Sequence, residues 1–338
     1  MTKRKWSTVP AAFLALLGTQ AFVLFGIERP AGLERAKDVV EAIVKASEGT
    51  IGVAVKHLES GEGFSVNGDA FFPLASVVKL PILTEVMAEI KDGRFGLSDE
   101  WSLKPSDQFY DGSLLSDLKA PGIRISVENL INMMMWLSDN TATDLLLTKV
   151  GIEAVNARIR SFGIEGILVG RTIRELLLDY YVGDSRKYAS MPIDEFARIY
   201  ARMAVEDPGT LAKARAGFGR NPADHATPQA VNTLLEKIFR KEILDASSCD
   251  HILKVMAGCQ TGAKRIRGLL PPDTVVAHKT GTIGGTINDC GIIELPGGAG
   301  HVALSMLSKD TDPDHTEDTI ALIAKTVYDC FLFGGRGE

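Results

Sequence analysis

The chain has 338 residues, 45% of them apolar and 24% charged, the balance of a globular protein long enough to bury a sizeable core. A net charge of −6 without a basic stripe excludes a general nucleic-acid binder. Six scattered histidines, with no paired spacing and no cysteine cluster, speak against a metal site, and no other cofactor motif stands in the chain.

Residues 1–30 stand apart. "MTKRKWSTVP" is basic, and no charge interrupts Val9 to Ile27, the pattern of an export signal. The apolar run is also just long enough for a retained membrane anchor, and no convincing small-residue cleavage site follows it. Both readings place residues 31–338 outside the cytoplasm, periplasmic or extracellular, because the positive end stays inside. Cys249, Cys259, Cys290 and Cys330 are expected as buried free thiols, since a domain this large needs no staples.

"LERAKDVVEAIVKASEG" has helical spacing and stops at Gly49. "TIGVAVKHLES" and "GEGFSVNGD" then read as a β-hairpin. A long helical stretch follows, from "VVKLPILTEVMAEIKDG" through "SVENLINMMMWLSDN", "TATDLLLTKVG" and "IEAVNARIRSFG" to "TPQAVNTLLEKIFR" and "ASSCDHILKVMAGC". Strands return in "DTVVAHKTGT", "GTINDCGIIEL" and "HVALSMLSK", and "HTEDTIALIAKTVYDCFLF" is a last helix. Strands at both ends around a helical middle predict an α+β fold, an α/β sandwich. One antiparallel sheet is covered by the terminal helices, an all-α lobe is inserted, and a cleft lies between the two. The expected boundaries are 31–75 with 228–338 for the sheet lobe and 76–227 for the helical lobe.

Three short motifs carry chemistry. In "FFPLASVVKLP", Ser76 and Lys79 stand three apart at a helix start, on one face of one turn. A serine is a weak nucleophile until a base takes its proton, and a lysine in a suitable environment is such a base. In "WLSDNTATDLLL", Ser138 and Asn140 offer a proton relay and an amide, while Asp139 or Asn140 also suits a helix N-cap. In "VVAHKTGTIGG", Lys279, Thr280 and Gly281 end a strand. The lysine suits a carboxylate, the glycine admits close backbone approach, and the Thr282 amide is an oxyanion donor. His278 alternates to the other strand face and reads as packing.

Each motif alone recurs by chance. Together, in the order S-x-x-K, S-D-N, K-T-G, they resemble the signature of penicillin-recognising serine enzymes, with class A β-lactamases the nearest pattern. The resemblance runs from about Leu33 to the C-terminus. It implies a β-lactamase/transpeptidase-like fold and a β-lactam substrate opened through an ester on Ser76, with no cofactor and the chain acting as a monomer. Catalysis then falls to Ser76, Lys79, Ser138 and Glu175, and substrate binding to Asn140, Lys279, Thr280, Gly281, Thr282 and Arg265. Glu175 takes the role of deacylating base because Glu175–Asp179 reads E-x-x-L-D against the family's E-x-x-L-N.

Three departures follow from the same resemblance. Asp179 stands where an asparagine is usual, so the water for deacylation is held differently and deacylation is slowed. The stretch 180–225 is longer than expected, and an extra helix there would reshape the cleft wall. Tyr110 lies near the expected mouth aromatic but out of register. Alternatives are a D-alanyl-D-alanine carboxypeptidase or other serine amidase, and a β-lactam sensor without turnover.

Overall fold

The computed structural model describes residues 31–109 and 113–334; the segment 1–30 and Tyr110 lie outside the described residues. No helix among the described residues is long and apolar enough to cross a membrane. The chain opens with α1 (Ala31–Ala46) and the hairpin of β1 (Thr50–His57) and β2 (Gly63–Val66). A short β3 (Phe72–Pro73) and a 3-10 turn, Ala75–Val78, lead into α2 (Lys79–Lys91). Next come β4 (Glu100–Ser102), α3 (Leu114–Asp117) and β5 (Arg124–Ser126), then α4 (Val127–Trp136), α5 (Asn140–Val150), α6 (Ile152–Ser161) and α7 (Ile173–Val182). The longer stretch beyond α7 folds as α8 (Ser185–Tyr188), α9 (Ile193–Glu206) and α10 (Pro208–Phe218). After β6 (His225–Ala226) run α11 (Pro228–Phe239), α12 (Ala246–Ala257), β7 (Val276–Ile283), β8 (Thr286–Leu295), β9 (Gly300–Lys309) and α13 (Pro313–Phe333).

Five strands form one antiparallel sheet in the order β2-β1-β9-β8-β7, so the first hairpin pairs with the last strand of the chain. Period-2 alternation divides the sheet's residues between two cores. Val53 and Val55 with Val302, Leu304 and Met306 face α1 and α13, joined by Val40, Ile323 and Val327. Ala277, Cys290, Ile292, Ala303 and Leu307 face the helices, where Leu83, Leu130, Met134, Leu235 and Ile252 fill the larger core. Helices α11 and α12 pack on this inner face, and α12 also packs on α2 and α4.

Sequence patterning missed β3, β4, β5 and β6, because a two- or three-residue strand carries no readable period. The β3–β6 pair matters to the site, since it fixes the chain just before the S-x-x-K turn: Phe72 pairs with Ala226 and Pro73 with His225.

Candidate active site

The S-x-x-K turn begins under strain. Ala75, a non-glycine residue, sits at φ 45°, a sparsely populated backbone region that persists only where surroundings impose it. Here they do. Asn288 Nδ2 on β8 donates to Pro73 O at 2.8 Å and to Leu74 O at 3.0 Å, and its Oδ1 is fixed by Ser308 N. Gly281 on β7 closes the other side, where an added Cβ would stand 2.7 Å from Leu74 O. The close approach that Gly281 permits is therefore to the backbone beside Ser76.

Lys79 is fully buried at the start of α2. Its Nζ lies 3.3 Å from Ser76 Oγ, 3.0 Å from Ser138 Oγ, 2.6 Å from Ser138 O and 2.7 Å from Asn140 Oδ1. The two carbonyl oxygens accept only, so they take two N–H bonds. The third position then faces hydroxyls: an ammonium donates to them, while a neutral amine presents its lone pair and can receive a hydroxyl proton. Ser138 is brought here by a second strained residue, its own φ being 59°. Asp139 beside it is the N-cap of α5, accepting from Ala142 N at 2.8 Å through Oδ1 and from Leu115 N at 2.9 Å through Oδ2. The capping duty foreseen for Asp139 or Asn140 thus falls to Asp139, leaving the Asn140 amide oxygen for Lys79.

Lys279 approaches Ser138 from the sheet, Nζ to Oγ 3.0 Å, with Thr280 O at 2.9 Å. Burial pushes its ammonium down to about 8, and Arg265 adds to that, against the opposing pull of Cys259 and Asp289. Thr280 Oγ1 lies 2.5 Å from Thr261 Oγ1. Thr282 is exposed at the strand end. Arg265, expected to open on the cleft, is 5% exposed. It sits behind β7, donating to Gly281 O and Asn288 O, and to Thr282 Oγ1 at 2.6 Å, with Nε on Glu317. It reaches the site through Thr282.

Glu175 stands in the first turn of α7. It is the fourth residue of an N-capping box on α7: Oε2 accepts from Thr172 N at 2.8 Å and from Thr172 Oγ1 at 3.0 Å, while Thr172 Oγ1 accepts from Glu175 N. Its hydrogen bonds run to Thr172, not to Ser76 or Lys79, and it lines a groove with Trp101, Lys104, Thr148 and Arg174. Leu176 of α7 is buried in one cluster with Ala75, next to Ser76, with Ile283 and with Phe218 of α10, and Leu177 and Tyr180 pack against it. Phe218 thus brings α10 against α7 near the turn of Ser76. Asp179 is also turned away. It pairs with Arg171 and accepts from Ser185 N at 2.7 Å, and Arg171 Nε binds Asp224 Oδ2 at 2.6 Å.

Two residues that sequence reasoning passed over position this region. Asp144, one turn after Asn140, accepts from Ile173 N at 2.7 Å and Arg174 N at 2.9 Å and so anchors the start of α7. Burial, and the charge of Glu175, push its carboxyl up to about 6 against these amides and Lys79. The helical spacing of D-N-x-x-x-D was the available signal. Asn288 is the other, and an asparagine inside an apolar strand was its signal.

The chain is similar to known proteins. A family model described as "Beta-lactamase enzyme family" matches residues 35–331. Beta-lactamase VEB-1 of Pseudomonas aeruginosa is 27% identical over 305 residues, which cover 87% of this chain and 89% of that one. The carbapenem-hydrolyzing beta-lactamase KPC of Klebsiella oxytoca is 26% identical over 318 residues, 92% of this chain and 94% of that one. Among solved structures, TLA-3 extended-spectrum beta-lactamase superposes with a TM-score of 0.72 at 27% identity, covering 89% of this chain and 99% of that one.

Proposed function

The chain belongs to the beta-lactamase enzyme family, and from that premise we propose that it opens the β-lactam amide as a class A serine hydrolase through an ester on Ser76. The observation that carries the assignment of roles is Lys79 Nζ, held between Ser76 Oγ, Ser138 Oγ and Asn140 Oδ1. As the neutral amine, Lys79 takes the Ser76 proton while Oγ attacks the lactam carbonyl. The Ser76 and Thr282 amides face the developing oxyanion. Ser138, bridging both lysines, hands a proton to the departing lactam nitrogen, and Lys79 replenishes it. Lys279 and the Thr280 hydroxyl bind the substrate carboxylate, Arg265 holds Thr282 in place, and Asn140 keeps Lys79 and the substrate's side-chain amide in register.

The second half of the reaction is less well equipped. A general base for water contributes about 10²–10⁴-fold, yet Glu175 is engaged by Thr172, and Leu176 of α7 is buried beside the turn of Ser76. Acylation therefore outruns hydrolysis, and the Ser76 ester is the species that accumulates. The remaining assignments follow the sequence. Residues 1–30 are the export signal or anchor, the hydrolase spans 31–338 with its sheet lobe in 31–75 and 228–338, and it acts outside the cytoplasm as a monomer. A chromogenic cephalosporin tests the reading: the purified protein opens it and Ser76→Ala does not. Equal turnover by both would overturn it.

A further inference from the structure

The longer stretch beyond α7 has a small core of its own, and one arginine joins that core to the start of α5. Phe196 of α9, Leu211 of α10 and Leu178 of α7 share a buried cluster with Phe109. Phe109 belongs to none of these helices. It follows a 3-10 turn, Pro105–Asp107, and its ring centroid lies 5.7 Å from that of Phe196. Arg174 of α7 bridges the two sides. Its Cζ stands 5.4 Å from the Phe109 ring centroid, Nη1 donates to Ser106 O at 3.2 Å, and Nη2 donates to Met191 O, between α8 and α9. Its buried Nε has no hydrogen-bond partner among the described residues, so these three contacts hold the side chain. A planar fork that donates along two edges while its face rests on a ring suits arginine and not lysine.

The turn before Phe109 is tied in its turn to S-D-N. Gln108 Nε2 donates to Leu115 O at 2.6 Å and to Leu118 O at 2.7 Å, in and just after α3. Leu115 is buried and donates its N–H to Asp139 Oδ2 at 2.9 Å. Asp139 caps α5 and stands between Ser138 and Asn140, whose oxygens hold Lys79. One turn along α5, Asp144 Oδ2 accepts from Arg174 N at 2.9 Å. A ring therefore closes, from Asp139 through Leu115, Gln108, the 3-10 turn and Arg174 back to Asp144 on the same helix. The helices beyond α7 meet this ring at Arg174 and Phe109. Ser138, beside it, keeps a φ of 59°, a conformation that lasts only where its surroundings impose it.

We propose that Arg174 is a positioning residue for acylation. It braces the ring that keeps Asp139, and with it Ser138 and Asn140, in place around Lys79, and the helices α8–α10 support the brace through Met191 and Phe196. The inference rests on the roles given to Ser138 and Asn140 above, so its test has one readout that needs no substrate.

The substrate-free readout is amide hydrogen exchange of the whole protein, followed by mass on the peptide that contains Leu115. In Arg174→Met that peptide exchanges faster than in wild type, while the peptide of α12, outside the ring, keeps its rate. The second readout is single-turnover acylation by a penicillin. Arg174→Met slows it about tenfold and leaves clearance of the ester unchanged. Gln108→Leu does the same, and the double variant is no slower than the slower single one, because both open one ring. Gln108→Leu leaves α7 unaltered, so it carries the test if Arg174→Met does not fold. An arginine that only stabilises the fold would give losses that multiply. Unchanged exchange at Leu115 in the variants, or rate losses that multiply in the double variant, overturns the proposal. Faster exchange in the variants of a protein that penicillin never acylates would uphold the brace and overturn the hydrolase reading instead.

Discussion

Glu175 closes the helix it stands on: its Oε2 accepts from Thr172 N at 2.8 Å, while Thr172 Oγ1 accepts from Glu175 N at 3.2 Å. A reciprocal cap satisfies two amides at the α7 start that would otherwise have no intrahelical partner. One carboxylate oxygen is thereby engaged in the cap. Glu175→Ala accordingly costs about 1 kcal/mol of stability and changes the hydrolysis rate of the Ser76 ester by less than about threefold, against the 10²–10⁴-fold loss expected of a general base. Denaturant unfolding and single-turnover deacylation measure the two effects separately.

Lys79 is expected to act in the first half-reaction. Lys79→Met, similar in length and without a proton acceptor, lowers the acylation rate by about 10²–10⁴-fold. Ser138→Ala removes the hydroxyl shared by both lysines and slows the same step. Stopped-flow acylation with a penicillin in excess reads both. A Lys79→Met protein that acylates at the wild-type rate contradicts the role.

The alkaline side of the pH profile belongs to Lys279, whose pKa lies near 8. Below that value the ammonium is charged and binds the substrate carboxylate. As pH rises through about 8 the proton leaves and kcat/KM falls, principally through KM. The direction is the one expected of a base whose charged form is disfavoured by burial.

Arg171 joins Asp179 on α7 to Asp224 beside β6 and is itself buried. Removing the shared cation leaves Asp224 in surroundings that already raise its carboxyl by burial. Arg171→Met is therefore expected to cost about 3–5 kcal/mol, read as a lowered unfolding midpoint, with the loss concentrated in protease sensitivity of residues 170–224.

Gly281 tests the strain at Ser76. A methyl group there meets Leu74 O at 2.7 Å and Ala75 Cβ at 3.2 Å, so Gly281→Ala must move the turn carrying the nucleophile. Displacements of this order cost about 10²-fold in rate. The expected result is a fall in kcat/KM with little change in the unfolding midpoint.

Much of this site was legible in the chain because its groups come from local motifs. Ser76 and Lys79 lie on one turn, Ser138 and Asn140 flank a cap, and Lys279 to Thr282 end a strand; a spacing rule places each set. What the chain left open was how one helix is turned. E-x-x-L-D matched a pattern, but which side of α7 faces Ser76 is decided by the apolar stripe Ile173, Leu176, Leu177 and Tyr180, at i, i+3, i+4 and i+7. Ile173 and Leu176 of that stripe are buried, and Leu177 and Tyr180 are half-buried. Thr172 and Glu175, three apart, also form a capping signature, and the fold makes that cap. Arg265 shows the same limit: its position before the K-T-G strand was readable, but not that Glu317, more than fifty residues on, draws it behind the sheet.

The most direct measurement is an intact-mass time course of wild type, Ser76→Ala and Glu175→Ala mixed with a penicillin. The account predicts one covalent penicillin on wild type within the first turnover, persisting while substrate lasts and then clearing. It predicts none on Ser76→Ala, and clearance from Glu175→Ala within about threefold of wild type. An adduct on Ser76→Ala, or one frozen on Glu175→Ala while wild type clears it, would contradict the account.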